Sequence, residues 1–178
     1  FATSGAVITS RKIYDGTEGW GEDGFYRMPV FVLTHRPHDV VVKGETTFTF
    51  VTDGIESAIA QARSAAGDKK VHVMGGASVI QQALKAGLVD SFHLHMAPVV
   101  LGAGTRLFDD LREPIELERT EVLESEFATH LDSASSGNNQ SHDKSRDGGF
   151  EHGGRNAQSG AARRLASSVQ RSQMYTFG

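Results

Sequence analysis

The chain contains no cysteine, which excludes disulfides, a thiol nucleophile and any zinc site built on thiolates. Apolar runs never exceed the length of a strand, so no segment is expected to span a membrane, and no secretory leader is visible. A cytoplasmic location is the expectation by default. Excess basic charge is lacking too: 18 Lys and Arg stand against 22 Asp and Glu over 178 residues, a net charge of −4. Electrostatic binding to nucleic acid needs a basic surface, so nucleic acid is not an expected partner. No Ser/His/Asp nucleophile motif and no Walker-type loop occurs.

Apolar residues make up only 38% of the chain, and the deficit is uneven. Residues 1–131 have the composition of one globular domain. Residues 132–178 are rich in Ser, Gly, Asn and Arg, with Phe150, Tyr175 and Phe177 as their only aromatics. Such a segment buries too little apolar surface to offset the entropy of ordering it, and is expected to be a disordered tail. The tail holds six basic and four acidic residues, which leaves the globular part at net −6.

Within 1–131, short apolar runs alternate with two helical patterns. Strands are expected over residues 5–9, 29–34, 46–52, 70–74, 91–100, 115–123 and 127–131. Asp53 and Glu56 have the spacing of a capping box. The helix it opens carries Ile55, Ala58, Ile59 and Ala62 on one face and stops at Gly67. A second helix over 77–86 has Val79, Ile80, Ala83 and Leu84 inward and Gly87 as its stop. Strands alternating with helices predict an α/β fold: a mostly parallel central sheet with flanking helices. The last two strands form an antiparallel hairpin joined around residues 124–126.

Residues 71–84 (VHVMGGASVIQQAL) are the most informative stretch. A β-rich run meets Gly75 and Gly76, and a helix starts at once at Ala77 and Ser78. Such a junction leaves backbone N–H groups at the positive end of a helix dipole, where a phosphate can sit. A sharp strand-to-helix turn needs small residues in any case, so the pair alone is compatible with mere turning. Two basic turns add to it. Ser10, Arg11 and Lys12 follow the first strand at the end where α/β sheets bind ligands, and are equally compatible with a solvated loop. Thr34, His35 and Arg36 follow the next strand, and Arg36 can grip a phosphate with two N–H groups.

These residues carry a resemblance. Residues 75–108 closely resemble the dihydrofolate-reductase-like family, which includes the reductase domain of the bifunctional riboflavin-biosynthesis deaminase-reductase. The upstream pieces at 5–8 (GAVI), 14–15 (YD), 19–20 (GW) and 29–37 (PVFVLTHRP) fall in that family's order. The resemblance implies a three-layer sandwich. It also implies an NADPH-dependent reductase acting on a pteridine-, pyrimidine- or ribosylamine-like small molecule, and a homodimer. It places cofactor phosphates against Ser10, Arg11 and Lys12 and the adenosine and its 2′-phosphate near Thr34, His35 and Arg36; with the helix start at Gly75, Gly76, Ala77 and Ser78 between them, these turns would make a three-sided phosphate site. NADPH is expected over NADH because both turns are basic, whereas a bare ribose favours an acidic partner. Trp20 and His95 are the substrate-side candidates.

The chain also departs from the family. A first strand ending in a Ser-Leu-Asp-Gly-like turn is not found, so the domain reads as shortened at its N-terminus and no catalytic proton donor can be named. Met74 stands where the riboflavin branch tends to have Glu, and Ser10 and Ile13 replace a Gly and a hydroxyl residue. The competing expectation is a non-catalytic nucleotide-binding or dimerising remnant. His93 and His95 share a strand face, but no third ligand has recognisable spacing and no metal is expected. Glu116, Glu118 and Glu121 are expected on a solvated edge strand rather than in catalysis.

Overall fold

A computed structural model describes residues 3–109, 111 and 113–135. It divides into two compact units that meet in sequence between Leu88 and Val89.

The first unit is built on a five-stranded sheet: β1 (Ser4–Ser10), β2 (Pro29–Leu33), β3 (Val41–Lys43), β4 (Thr46–Val51) and β5 (Lys70–Gly75), in the order β3-β4-β2-β1-β5. All neighbours are parallel except β3 and β4. Three helices accompany it: α1 (Arg11–Gly16), α2 (Ile55–Ala66) and α3 (Ala77–Lys85). The chain steps outward from β1 to β2 and β4, and α2 then carries it back to β5 on the other side of β1. That reversal puts a topological switch point at the β1/β5 seam.

Alternation along the strands divides the core. Val7, Val30, Val32 and Phe48 form one cluster, covered by Tyr14 of α1 and by Trp20 and Tyr26 of the Gly-rich loop. Ala6, Ile8 and Phe31 point the other way, toward the sheet face that α2 covers with Ile55, Ala58, Ile59, Ala62 and Ala66, all buried. These are the α2 positions the helical periodicity predicts.

The Gly-rich loop is shaped by backbone that favours glycine. Gly19, Gly21 and Gly24 have positive φ, as do Glu18, Trp20, Phe25 and Arg27. It is held from β3 and β4. Lys43 Nζ donates to the carbonyls of Glu18 (2.5 Å) and Gly21 (2.9 Å), and Arg27 N donates to Thr46 Oγ1 (2.8 Å). Trp20 then stacks on Phe48 and meets Tyr26 edge-on.

The second unit is a three-stranded antiparallel sheet, β6 (Ser91–Met96), β7 (Leu117–Glu124) and β8 (Thr129–Ser135), in the order β6-β8-β7. The expected closing hairpin is β7–β8, turned by Ser125 N donating to Ala128 O. Phe92 of β6 packs edge-on against Phe108.

Several expectations are corrected. The helix start at α2 lies one residue later than a capping box on Asp53 requires. Gly54 is the N-cap at φ 99°, no side chain caps it, and Asp53 instead accepts from Thr52 Oγ1 at 3.2 Å. Residues 10–12 open a helix, α1, rather than forming a loop. β3 was not expected; it pairs with β4 across the tight turn at Gly44, whose φ is 57°. β6 ends at Met96 instead of residue 100, because Pro98 has no N–H to offer a ladder. Strand β7 begins at Leu117, after Pro114. β8 runs through Ser135, so residues 132–135, assigned from composition to the tail, are strand. The rest of that expected tail, residues 136–178, lies outside the described residues. Ile80 of α3 is half-buried rather than inside, while Val79, Ala83 and Leu84 are buried.

Two tests follow from this packing. Gly5 sits at a register shift between β1 and β5. A Cβ there would lie 2.7 Å from Ala66 O and 2.8 Å from Lys69 Cβ. The first of these is backbone and cannot swing aside, so Gly5→Ala should destabilise by roughly 1–3 kcal/mol in urea unfolding. Burial pushes the Tyr26 phenol up from its ordinary value. The folded chain therefore holds that proton more tightly than the unfolded chain. The contribution is intact below pH of about 10 and lost as pH rises through the higher folded value. Tyr26→Phe should flatten the alkaline decline of the melting temperature relative to wild type.

Candidate functional site

Three chain turns meet at the C-terminal ends of adjacent parallel strands. Ser10 ends β1 beside Leu33 of β2, and Thr9 of β1 pairs with Gly75 of β5. The basic turn after β1, the turn after β2 and the Gly75–Gly76 junction thus lie side by side, as the sequence predicts. The seam is fastened by Thr9 Oγ1, which donates to Gly75 O at 3.2 Å in the buried interior.

Ser10 is the hub. Its Oγ accepts from Ile13 N (3.3 Å), capping α1 in the usual way for a hydroxyl at an N-cap. The same oxygen accepts from Gly76 N at 3.2 Å. The Gly76 amide is therefore already used, which corrects the expectation that it faces a phosphate. The amides of Ala77 and Ser78, in the first turn of α3, make no hydrogen bond among the described residues, while Val79 N and Ile80 N both donate to Gly76 O. Two donors thus remain open at the positive end of a helix. Gly75 has φ 106°, a conformation that only glycine adopts without strain, and the Gly75–Gly76 peptide is cis.

The cations divide in two. Arg11 is committed: its Nε meets Asp15 Oδ1 at 2.7 Å, and its guanidinium lies 5.3 Å from the Phe50 ring centroid and 5.9 Å from that of Tyr14. Lys12, His35 and Arg36 are exposed, and their side chains form no ion pair or hydrogen bond among the described residues. The turn that presents Arg36 is fixed from inside. Thr34 N extends the β2–β4 ladder by donating to Val51 O (3.0 Å), and Thr34 Oγ1 accepts from Arg36 N at 3.1 Å.

Trp20 is placed in the hydrophobic cluster on Phe48 and Tyr26, so its ring is occupied by packing. His95 lies in the second unit, on β6, opposite His130 of β8. No sequence motif singles out Phe50 and His38. The His38 ring lies 4.4 Å from that of Phe50, on which Arg11 also lies. The alternation of Phe48 and Phe50 within residues 46–52 was the available signal, since it puts both rings on one face with Phe50 nearer the ligand-binding end.

Because one oxygen serves both α1 and the Gly75–Gly76 junction, Ser10→Ala should cost about 1–2 kcal/mol. Ser10→Thr should recover most of it, read from urea midpoints.

Residues 4–130 match the family model described as the RibD C-terminal domain. A Bacillus subtilis (strain 168) protein, YyaP, described as uncharacterized, is 39% identical over 69 residues, which span 39% of this chain and 36% of the relative. A crystal structure of a Shewanella sp. PV-4 protein named for riboflavin biosynthesis superposes with a TM-score of 0.62 at 22% identity, covering 75% of both chains. Acinetobacter baumannii RibD (form 2) gives a TM-score of 0.52 at 14% identity, over 75% of this chain and 47% of that one. The Thermotoga maritima diaminohydroxyphosphoribosylaminopyrimidine deaminase/5-amino-6-(5-phosphoribosylamino)uracil reductase gives 0.51 at 13%, over 74% and 45%. With the family model spanning residues 4–130 and the fold shared with these structures, the chain belongs to the RibD C-terminal domain family and has its dihydrofolate-reductase-like fold.

Proposed function

We propose that this chain is an NADPH-dependent reductase of riboflavin-type metabolism, passing hydride to a C=N or C=O group of a pyrimidine or ribosylamine-like small molecule. The observation that carries this reading is the switch point at β1/β5. There two open amides, Ala77 N and Ser78 N, stand at a helix start beside the exposed cations of the two neighbouring turns. Ligands of open α/β sheets bind in such a crevice outside the strand ends. Family membership supports the reductase assignment, and the Thermotoga relative is named for a reductase of this kind.

The residues fit the cofactor unevenly. The open amides of Ala77 and Ser78 would hold the pyrophosphate. Arg36, with Lys12 and His35 near it in the adjacent turns, is the group for the 2′-phosphate, since Arg11 is already tied to Asp15 and Phe50. Bound NADPH supplies the hydride, while the protein supplies orientation. Self-association into a homodimer is part of the same proposal.

In a calorimetric titration, NADPH should bind more tightly than NADH. Arg36→Ala should cost NADPH roughly 1.5–3 kcal/mol, as for a charge-assisted hydrogen bond, and leave NADH nearly unchanged. Equal affinity for the two in wild type removes the 2′-phosphate argument. Binding of NADPH without turnover of a pyrimidine substrate favours a nucleotide-binding module over an enzyme.

A further inference from the structure

The second unit carries a cluster that the cofactor reading does not use. Antiparallel pairing of β6 with β8 sets His95 opposite His130 and His93 opposite Asp132, all on one sheet face. His93 Nδ1 meets Asp132 Oδ1 at 2.7 Å, and His95 Nδ1 meets His130 Nδ1 at 2.5 Å, with the two rings nearly edge-to-face. Spacing within β6 alone offers no further ligand; the strand that pairs with it does.

The Ser125 hydroxyl selects between the two nitrogens of His130. Ser125 Oγ donates its single hydrogen to Ala128 O at 3.1 Å and accepts from Ala128 N at 3.2 Å. His130 Nε2 lies 3.0 Å from the same oxygen. With the hydroxyl hydrogen held on Ala128 O, Nε2 is the donor, and in the neutral ring the lone pair sits on Nδ1. That lone pair points at His95 Nδ1. When the exposed His95 ring holds its own proton on Nε2, two lone pairs converge on one point. A second group fixing the tautomer of a ligand through its other nitrogen is the arrangement found around metal-binding imidazoles. The carboxylate of Asp132, and that of Glu121 across from it on β7, add negative charge next to the pair.

We propose that His95 and His130 form a cross-strand chelate for a late first-row divalent cation, such as Zn2+ or Cu2+, with Ser125 as its positioning residue. Imidazole nitrogens favour these ions over Mg2+ or Ca2+. Tetrahedral coordination at bond lengths of about 2.0–2.1 Å would need the two Nδ1 atoms to open to about 3.3 Å. The exposed His95 ring can make that adjustment by side-chain rotation. Among the described residues no group of three or more His, Cys, Asp or Glu is gathered for a metal, so the chelate has two protein ligands and water completes it. A bound ion clamps β6 to β8 and thereby stabilises the three-stranded sheet.

The test is a Zn2+ titration of the full chain by calorimetry, followed by thermal unfolding with and without the ion. Wild type should take up one equivalent and melt at a higher temperature, while Mg2+ should do neither. His95→Ala and His130→Ala should each abolish both effects. Ser125→Ala should weaken uptake roughly 10-fold or more, since it frees the tautomer but leaves both ligands, and should also lower the metal-free melting temperature through the lost Ala128 contacts; Ser125→Thr, which keeps the hydroxyl, should restore uptake. Independently of any variant, the Cu2+-loaded protein should show hyperfine coupling to two imidazole nitrogens in electron paramagnetic resonance. Uptake that survives both histidine substitutions, coupling to one nitrogen only, or no saturable uptake by wild type would overturn the proposal.

Discussion

Much of the first unit hangs on one hydroxyl oxygen. Ser10 Oγ accepts from Ile13 N and from Gly76 N, so the start of α1 and the turn before α3 share a single acceptor. Each amide would otherwise be an unpaired donor at a helix start. Sharing the oxygen fixes the distance between the two turns, and Thr9, one residue earlier, fastens the same seam through Gly75 O. The placement of Ala77 N and Ser78 N beside the basic turns depends on that join.

Around the seam, the positive charges are sorted by what already holds them. Arg11 is satisfied by a carboxylate and two aromatic faces, Lys43 by two loop carbonyls. Both act within the fold: the first braces α1 against β4, the second pins the Gly-rich loop over the core. Arg36 and Lys12 remain in water, where a cation costs nothing to keep and is available to a phosphate. Exposure, not residue type, separates the cations held within the fold from those left in solvent.

The second unit depends on registration in a different way. β7 and β8 pair as a hairpin through a local turn, whereas β6 joins β8 with no turn to align it. Cross-strand pairs such as His93 with Asp132 and Leu94 with Leu131 therefore help to set which residues face which way, because a slip of one position would exchange the two faces.

How much of this was legible in the chain follows from the range of each interaction. Period and composition reached what is local: the apolar face of α2, the strand-to-helix junction at Gly75 and Gly76, the stop at Gly87, and the β7–β8 hairpin. They also placed the basic turns after β1 and β2, since a parallel sheet with helical crossovers brings its strand ends to one edge. They misjudged Asp53 and the last residues of β8, because a glycine's φ and a ladder partner supplied by β6 and β7 overrode local preference. Only tertiary structure decided that Ser10 holds the Gly76 amide, that Arg11 is occupied, that Trp20 is packing and that His130 faces His95. Each of those contacts joins residues separated by tens of positions or chooses between equally suitable neighbours, and no local pattern records which partner the folded chain brings within reach.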